Sequence, residues 1–438
     1  MTTGKMLAAA ALLGISLLPM TACPQTAGYV KQVLTVNSGK FEYSPPFTDF
    51  VSLQSYNPQT QSSATFGSIG TQSGQAILII GRMAYVAAQD SIVKYNLSTM
   101  ERMFGVADSG LNRLAVCNGK LIVSKQYPSS AVFAEVLDTA TLAPVAYITG
   151  LSGDCAGITG AADSVYIAVN GGWMGTQGKL AVIDPATWTL RAEIPLGPEA
   201  IGINDLYHYN GKVVAVNKTP YGSTTGSITV YNPAGRSFIT TPLSHTVGMS
   251  AGILDSLLYV GIDYGIGSFN LNTRTIQQQT LVPDPGSSLF RYFTSMTIDT
   301  FNRRIYANVG DYVQNGYCLV SSVTGDSLTT YSTGISSDAV AVDYRQYPAG
   351  LEGREVANDR LRIFPNPVGE MLCFETGIKA DKAIVTIRDV AGRAILTGIP
   401  GQTGGYRFTL PAGTLKAGIY LLTVDWGEGS VSSTFVKR

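Results

Sequence analysis

Charge is scarce in this sequence: Asp, Glu, Lys and Arg make up 14 % of 438 residues, against roughly 25 % in an ordinary soluble domain. The two signs balance at 30 each, so the formal net charge is zero. Without a basic excess the chain lacks the counterion-releasing contacts that nucleic acid or an anionic membrane requires, and those partners are excluded. Histidine is nearly absent, with only His208 and His245, which leaves little material for imidazole-based acid–base chemistry. The five cysteines include no Cys-x-x-Cys pair and no histidine at metal-ligand spacing, so no metal site is expected. Cys117, Cys155, Cys318 and Cys373 sit largely in apolar strand contexts and read as buried free thiols. Beyond the N-terminus, no run is long and apolar enough to span a bilayer.

What is present is glycine, 48 residues, and an excess of tyrosine over phenylalanine, 23 against 15. A hydrophobic fraction of 45 % excludes a disordered chain, and the length implies a closed repeat architecture or two to three domains. Residues 1–23 read as a signal peptide, with Lys5 as the positive n-region and residues 6–18 as the apolar core. The segment ends in Leu18-Pro19-Met20-Thr21-Ala22-Cys23, which resembles a bacterial lipobox and would make Cys23 the lipidated first residue; cleavage without lipidation is the alternative.

A repeat runs through residues 30–346. A first tight turn recurs as Ile80-Gly81-Arg82, Asn118-Gly119-Lys120, Ala162-Asp163-Ser164, Asn210-Gly211-Lys212, Leu254-Asp255-Ser256 and Phe301-Asn302-Arg303. The spacing suits four-stranded propeller blades, roughly 40–45 residues each, and Asn-Gly suits a hairpin that needs positive φ. A second turn begins at Asn57, Asn96, Asp138, Asp184, Asn232 and Asn270, whose side chains are suited to bonding the backbone two residues on. Six complete blades result. Residues 30–67 supply the second to fourth strands of a seventh, and Asp338 to Tyr344 supply its first. The expected fold is therefore all-β: a seven-bladed propeller closed by its N- and C-terminal strands, which removes open sheet edges.

Residues 347–360 read as a linker, and residues 361–438 as a small immunoglobulin-like β-sandwich. Four segments of that last domain carry a resemblance: Ile363-Phe364-Pro365-Asn366-Pro367, Ile387-Arg388-Asp389-Val390-Ala391-Gly392-Arg393, Leu415-Lys416-Ala417-Gly418-Ile419-Tyr420 and Phe435-Val436-Lys437-Arg438. Together they resemble the type A sorting domain of the type IX secretion system of Bacteroidetes, with Pro365, Asn366, Pro367, Gly392, Arg393, Gly418, Tyr420 and Lys437 as its motif residues. The resemblance implies export across the outer membrane and contact with that secretion machinery.

Neither histidine stands beside a nucleophile elbow, a paired carboxylate set or a metal-ligand spacing, and no catalytic residue is assigned. Binding has better material. In a propeller, the loops joining second to third strands lie on one face with the blade-to-blade connections. Those loops carry Phe41, Tyr43 and Phe47, then Tyr127, Trp173, Tyr221, Tyr264, and Tyr312 with Tyr317. Tyrosine and tryptophan offer stiff contact area with a polar handle, so Tyr43, Tyr127, Trp173, Tyr221, Tyr264 and Tyr312 are the candidate ligand-binding residues. Lys125, Gln177, Asn217, Asp263 and Asp311 are their expected polar companions.

The blade pattern, with Val33-Leu34-Thr35-Val36-Asn37-Ser38-Gly39 and the Asn/Asp-x-x-Thr turns, resembles the YncE-like, surface-layer-type propellers common in Bacteroidetes. Some of these are surface lipoproteins that capture cobalamin for a TonB-dependent outer-membrane transporter. The resemblance implies a non-enzymatic surface protein that binds a small ligand, a corrinoid among the candidates, and no other cofactor. The alternatives are an adhesin or scaffold for protein or glycan, and a propeller lactonase- or lyase-type enzyme using acids such as Asp205, Asp263, Asp311 and Asp343.

Overall fold

The structure is a computed structural model that describes residues 28–126, 132–172, 174–346, 361–376, 384–398, 401–404, 407–425 and 430–438. The expected signal peptide with Cys23, the expected linker, Tyr127 and Trp173 lie outside the described residues. The chain divides into two compact units, residues 1–346 and 347–438.

The first unit contains seven four-stranded antiparallel sheets. Their first strands, which define blades 1 to 7, are Gly74–Ile80, Leu111–Cys117, Cys155–Ala161, Ile203–Tyr209, Val247–Leu254, Tyr292–Asp299 and Ser337–Gln346. Each first strand packs against the next, and that of blade 7 packs against that of blade 1, so the ring is closed. Blade 7 joins the two ends of the unit. Ser337–Gln346 pairs with Gly28–Asn37 in a register that sets Val33 opposite Val342 and Leu34 opposite Ala341. The strands Val51–Asn57 and Ser62–Ile69 complete this blade. It is the seven-bladed propeller that the repeat predicts.

The burial pattern follows from stacking blade on blade. Second strands are covered on both faces, so Ala84–Ala88 within Met83–Ala88 and all of Ser164–Val169 are buried, which is why they read as nearly continuous apolar runs. Outermost strands are largely solvent-facing, as in Glu101–Ala107. Between blades 7 and 1 the core is formed by Leu34, Val36, Val51 and Leu53 against Ala84, Val86, Val93 and Tyr95. Each such buried aliphatic side chain contributes about 1.5–3 kcal/mol relative to exposure.

The predicted turns are locally explained. Asn57 Oδ1 accepts bonds from the N–H groups of Gln59 and Thr60 at 2.9 and 3.3 Å. Asp138 does the same for Ala140 and Thr141 at 2.9 and 3.0 Å, and Asn96, Asp184 and Asn270 follow suit. In blade 6 a serine takes the role: Ser322 Oγ accepts from the N–H groups of Thr324 and Asp326. Asn232 departs from the series and accepts no bond in its turn.

The second unit holds two four-stranded sheets. One comprises Leu361–Phe364, Met371–Thr376, Arg407–Pro411 and Gly401–Gly404; the other comprises Ala394–Gly398, Ile384–Asp389, Gly418–Asp425 and Ser430–Lys437. Their facing side chains, among them Leu372, Phe374, Ile387, Phe408, Leu422 and Phe435, form one core, as in a small sandwich. The sorting-motif residues are structural within it. Asn366 Oδ1 accepts the Val436 N–H at 2.9 Å. Asp389 accepts the Arg393 N–H at 3.0 Å and pairs with its guanidinium at 2.8 Å across a turn in which Gly392 has φ 80°. Tyr420 packs on Phe435 at 5.7 Å, and its hydroxyl donates to Lys416 O.

The four described cysteines are free; Cys155 and Cys318 are buried, while Cys117 and Cys373 are half-buried. Burial pushes the Cys318 thiol up to about 12 and raises Cys155 and Cys117 as well, so these three thiols are chemically quiet at neutral pH.

Candidate functional site

The loop face, where second-to-third-strand loops meet the blade-to-blade connections, is built from the channel outward. All seven first strands carry a register shift at this end, between Gly74 and Ala76, Leu111 and Leu114, Cys155 and Ile158, Ile203 and Asp205, Val247 and Ser250, Phe293 and Ser295, and opposite Val36 and Asn37 in blade 7. A bulge at a barrel rim re-aims side chains. Here the inserted residues include Gln75, Asn112, Arg113, Asn204, Thr294 and Asp338, a polar ring at the channel mouth.

Hydrogen bonds from this ring run between neighbouring blades. Asn112 Nδ2 donates to Cys155 O at 2.8 Å. Ser250 Oγ donates to Asp205 Oδ2 at 2.7 Å, with the Arg113 Nε 3.8 Å from the other carboxylate oxygen. Thr294 Oγ1 donates to Ser337 O at 2.7 Å. Ser38 Oγ donates to Asp338 and accepts the Gly74 N–H at 2.8 Å, tying blade 7 to blade 1. Burial pushes the Asp338 carboxyl up to about 6, against the opposing effect of the Ser38 bond.

A second layer pins the loops. The second strands of blades 7 and 4 end in buried Asn37 and Asn217, buried Asn308 stands two residues before the end of that of blade 6, and Asn170 directly follows that of blade 3. Asn37 Oδ1 accepts from Gly334 N at 3.1 Å and Ser337 Oγ at 2.8 Å. Asn217 Nδ2 donates to Ser227 and Thr229 at 2.8 Å each, and Asn308 Nδ2 to Ser295 at 2.9 Å. Asn170 Oδ1 accepts the Gly172 N–H at 3.0 Å. Where two loops touch, glycine is required: Gly202 has φ 80°, and a Cβ there would lie 2.2 Å from Lys218 O.

Above this frame stand the aromatics. Tyr43 is 96 % exposed, Tyr221 75 %, Tyr264 60 % and Tyr312 49 %. Phe41 meets Tyr43 edge-on at 5.2 Å. Tyr264 and Tyr292 lie 6.2 Å apart across blades 5 and 6; partial burial, the nearby Asp338 carboxylate and Tyr292 raise the Tyr312 hydroxyl above its ordinary value. Blades 5 and 6 therefore bring Tyr264, Tyr292 and Tyr312 together. Tyr221 stands on blade 4 and Tyr43 on blade 7, flanking this group on either side. Leu289, Phe290 and Val313 add exposed apolar surface to the same sector. Elsewhere on the propeller, among the described residues, the exposed large apolar side chains are Phe301 and Tyr344 on the opposite face and Met103, Val145, Tyr147, Phe238, Ile239 and Leu328 on outer strands.

The displayed aromatics sit on an unusual backbone. Asp263, Tyr264, Phe290 and Tyr312 have φ of 47°, 69°, 60° and 63°. The left-handed region costs a residue with a Cβ about 1–2 kcal/mol, and turns of the opposite face bear the same cost at Met100, Leu142, Ala162, Arg236 and Arg274.

The polar companions differ from expectation. Lys125 does not face a ligand: it is buried between Asp108 and Glu135, the latter 2.6 Å away. Burial, with Asp108 beside it, pushes Glu135 up to about 7. Burial alone would lower Lys125, and its two carboxylate partners outweigh that. Asn217 is interior, and Gln177 reaches Ser152 Oγ at 3.4 Å. Asp311 accepts the N–H groups of Val313 and Gln314 in its own loop. The Lys125 and Gln177 pairings join segments 10 to 25 residues apart, which the loop composition did not reveal.

The histidines separate. His208 Nε2 accepts the Gly211 N–H at 3.1 Å within a turn on the opposite face. His245, on the connection into blade 5, is held through Nδ1 by the Asp263 carboxylate. Partial burial pushes Asp263 up, but bonds from His245 and Thr246 outweigh it and hold the group below the usual range. The other acids are dispersed: Asp205 lies at the channel mouth, and fully buried Asp343 is paired with Arg345 at 2.8 Å. Among the described residues no group of three His, Cys, Asp or Glu side chains is placed to hold a metal ion.

Residues 362–438 match the family described as Secretion system C-terminal sorting domain. No curated protein is a significant match to the chain. Among solved structures, a hypothetical selenium-binding protein from Sulfolobus tokodaii is similar with a TM-score of 0.56 at 10 % identity, covering 73 % of this chain and 94 % of that one. An extracellular domain from B. thetaiotaomicron is similar with a TM-score of 0.50 at 14 % identity over 94 % of this chain; the match spans 59 % of that domain's length. The RRP9 WD40 repeats give 0.49 at 12 % identity, over 70 % of this chain and 87 % of theirs. At such identities the likeness is one of fold. The sorting domain makes this an exported protein, displayed at the cell surface or secreted.

Proposed function

We propose that the propeller is a non-enzymatic surface binding protein that captures a small ligand on the loop face and presents it to an outer-membrane transporter of the TonB-dependent type. The observation that carries the reading is the segregation of exposed aromatics onto one face, over a frame whose polar side chains are bonded to each other. Packing alone does not require Tyr264 and Tyr312 to be held outward on left-handed backbone.

The ligand identity rests on the resemblance to YncE-like propellers, some of which capture cobalamin; a corrinoid is broad, of mixed polarity, and suited to stacking on several rings. Isothermal titration with cobalamin and cobinamide tests it. Tight binding that falls at least tenfold in Tyr264→Ala/Tyr312→Ala, at unchanged thermal stability, is the expected result. Absence of heat at the highest soluble corrinoid concentration would remove the corrinoid, and equal binding by the double variant would remove the face.

One observation favours a second reading. The Asp263 carboxylate on His245 Nδ1 leaves Nε2 as the ring nitrogen that would take a proton, the arrangement of an oriented general base. An enzyme of lyase or lactonase type would lose turnover in His245→Gln while retaining ligand affinity; a pure binder has no turnover to lose.

A further inference from the structure

A groove of about 400 Å³ opens on the face opposite the aromatic loops, between the turns of blades 4 and 5. Its size lies in the range of small-molecule sites, about 300–1,000 Å³. Tyr209 and Phe238 provide ring surface, and Phe238 is 39 % exposed although it stands beside a strand ladder. Lys212 and Arg274 are the charged residues of the lining. Neither forms an ion pair, and no carboxylate lines the groove.

The amides are also uncommitted. Asn232 belongs to the series of turn residues whose side chains bond their own backbone, yet its carboxamide accepts no such bond and borders the groove instead. Asn272 accepts the Tyr209 hydroxyl at 3.1 Å through Oδ1, which leaves its Nδ2 as a donor. The groove thus combines flat apolar rings, amides able to bond vicinal hydroxyls in pairs, and two cations without counter-charge.

We propose that this groove is a second binding site, for an acidic saccharide: a sugar ring packs on Tyr209 and Phe238, Asn232 and Asn272 bond its hydroxyls, and Lys212 with Arg274 take its carboxylate. The rings and amides argue for a sugar over a bare anion, and the unpaired cations argue for an acidic sugar over a neutral one. The site is separate from the loop face and stands or falls independently of what that face binds.

Titration of the full chain with tetragalacturonate, its fully methyl-esterified form and inorganic sulfate tests this. The free acid should bind at least tenfold more tightly than the ester and than sulfate. Lys212→Ala/Arg274→Ala should lose at least tenfold, Asn232→Asp should weaken binding by added like charge, and Tyr264→Ala should change nothing. Both cations are exposed, so the double variant should keep its melting temperature. Equal affinity for acid and ester, sulfate binding as tight as the saccharide, an unaffected double variant or no binding at millimolar saccharide would each overturn the assignment.

Discussion

Two hairpins of the same backbone type, one on each face of the propeller, carry different residues. On the turn face, Asn210 and Gly211 have φ of 47° and 74°, the pair that two positive angles favour. On the loop face, Asp263 and Tyr264 hold 47° and 69°. Tyrosine stands where glycine would relieve the strain, and its ring is mostly exposed. One hairpin carries the residues its backbone prefers; the other carries a residue its backbone tolerates at a cost.

The carboxylates raised by burial stand on the loop face, beside others that hydrogen bonds hold low. Turn-face Asp138, Asp184 and Asp326 are held below the usual carboxylate range by hydrogen bonds: Asp138 first by Lys120, Asp184 first by the Ala186 N–H, and Asp326 first by Thr324. On the loop face Glu135, Asp154 and Asp338 are pushed up, first of all by burial, while Asp263 and Asp284, against burial, and Asp311 are held low by hydrogen bonds as the turn-face acids are.

The largest expected effect comes from the frame beneath the loops. Asn37→Ala removes the acceptor of Gly334 N and Ser337 Oγ at the seam of the ring and should cost about 2–4 kcal/mol, since buried donors are left unsatisfied. Asn57→Ala, on the turn face, removes bonds from solvent-accessible N–H groups and should cost about 0.5–1 kcal/mol. Denaturant melts of the two variants measure the difference; equal losses would break the contrast.

Next comes pH. Burial pushes the Asp338 carboxyl up to about 6, above the ordinary range of an aspartate. The folded state therefore binds this proton more tightly, and stability falls as pH rises from about 4 to about 6, remaining lower above that. Asp338→Asn keeps an acceptor for Ser38 and should flatten that decline, with a gain of roughly 1–3 kcal/mol at pH 7. An unchanged stability–pH profile would contradict the assignment.

Smaller still is the gain from relieving the tyrosine. Tyr264→Gly should raise stability by about 0.5–1 kcal/mol, less than the full left-handed cost because the Tyr292 contact is lost, while ligand affinity falls. A destabilised Tyr264→Gly would make the ring a packing element.

The blade count, the closing of the ring and the sorting domain were legible because each depends on local chemistry repeated along the chain: Asx turns, Asn-Gly hairpins, apolar second strands. The outward aromatics were legible too, since a tyrosine in a long loop has few interior alternatives. The polar ring, the Lys125 cluster and the His245–Asp263 pair were not. His245 and Asp263 are 18 residues apart and meet only because blade 5 folds its entry loop against its own hairpin. Lys125 looked like a loop cation, yet Asp108 and Glu135 draw it inward. Asn217, read as a loop side chain, ends a strand and points into the frame.

The most direct test of the loop face as the recognition surface is hydrogen exchange of the full chain with and without saturating cobalamin. Protection confined to residues 38–50, 263–264, 283–291 and 311–316, with turns at residues 57–62, 138–143 and 270–275 unchanged, is the predicted result. Protection on the turns, or no protection on either face, would contradict it.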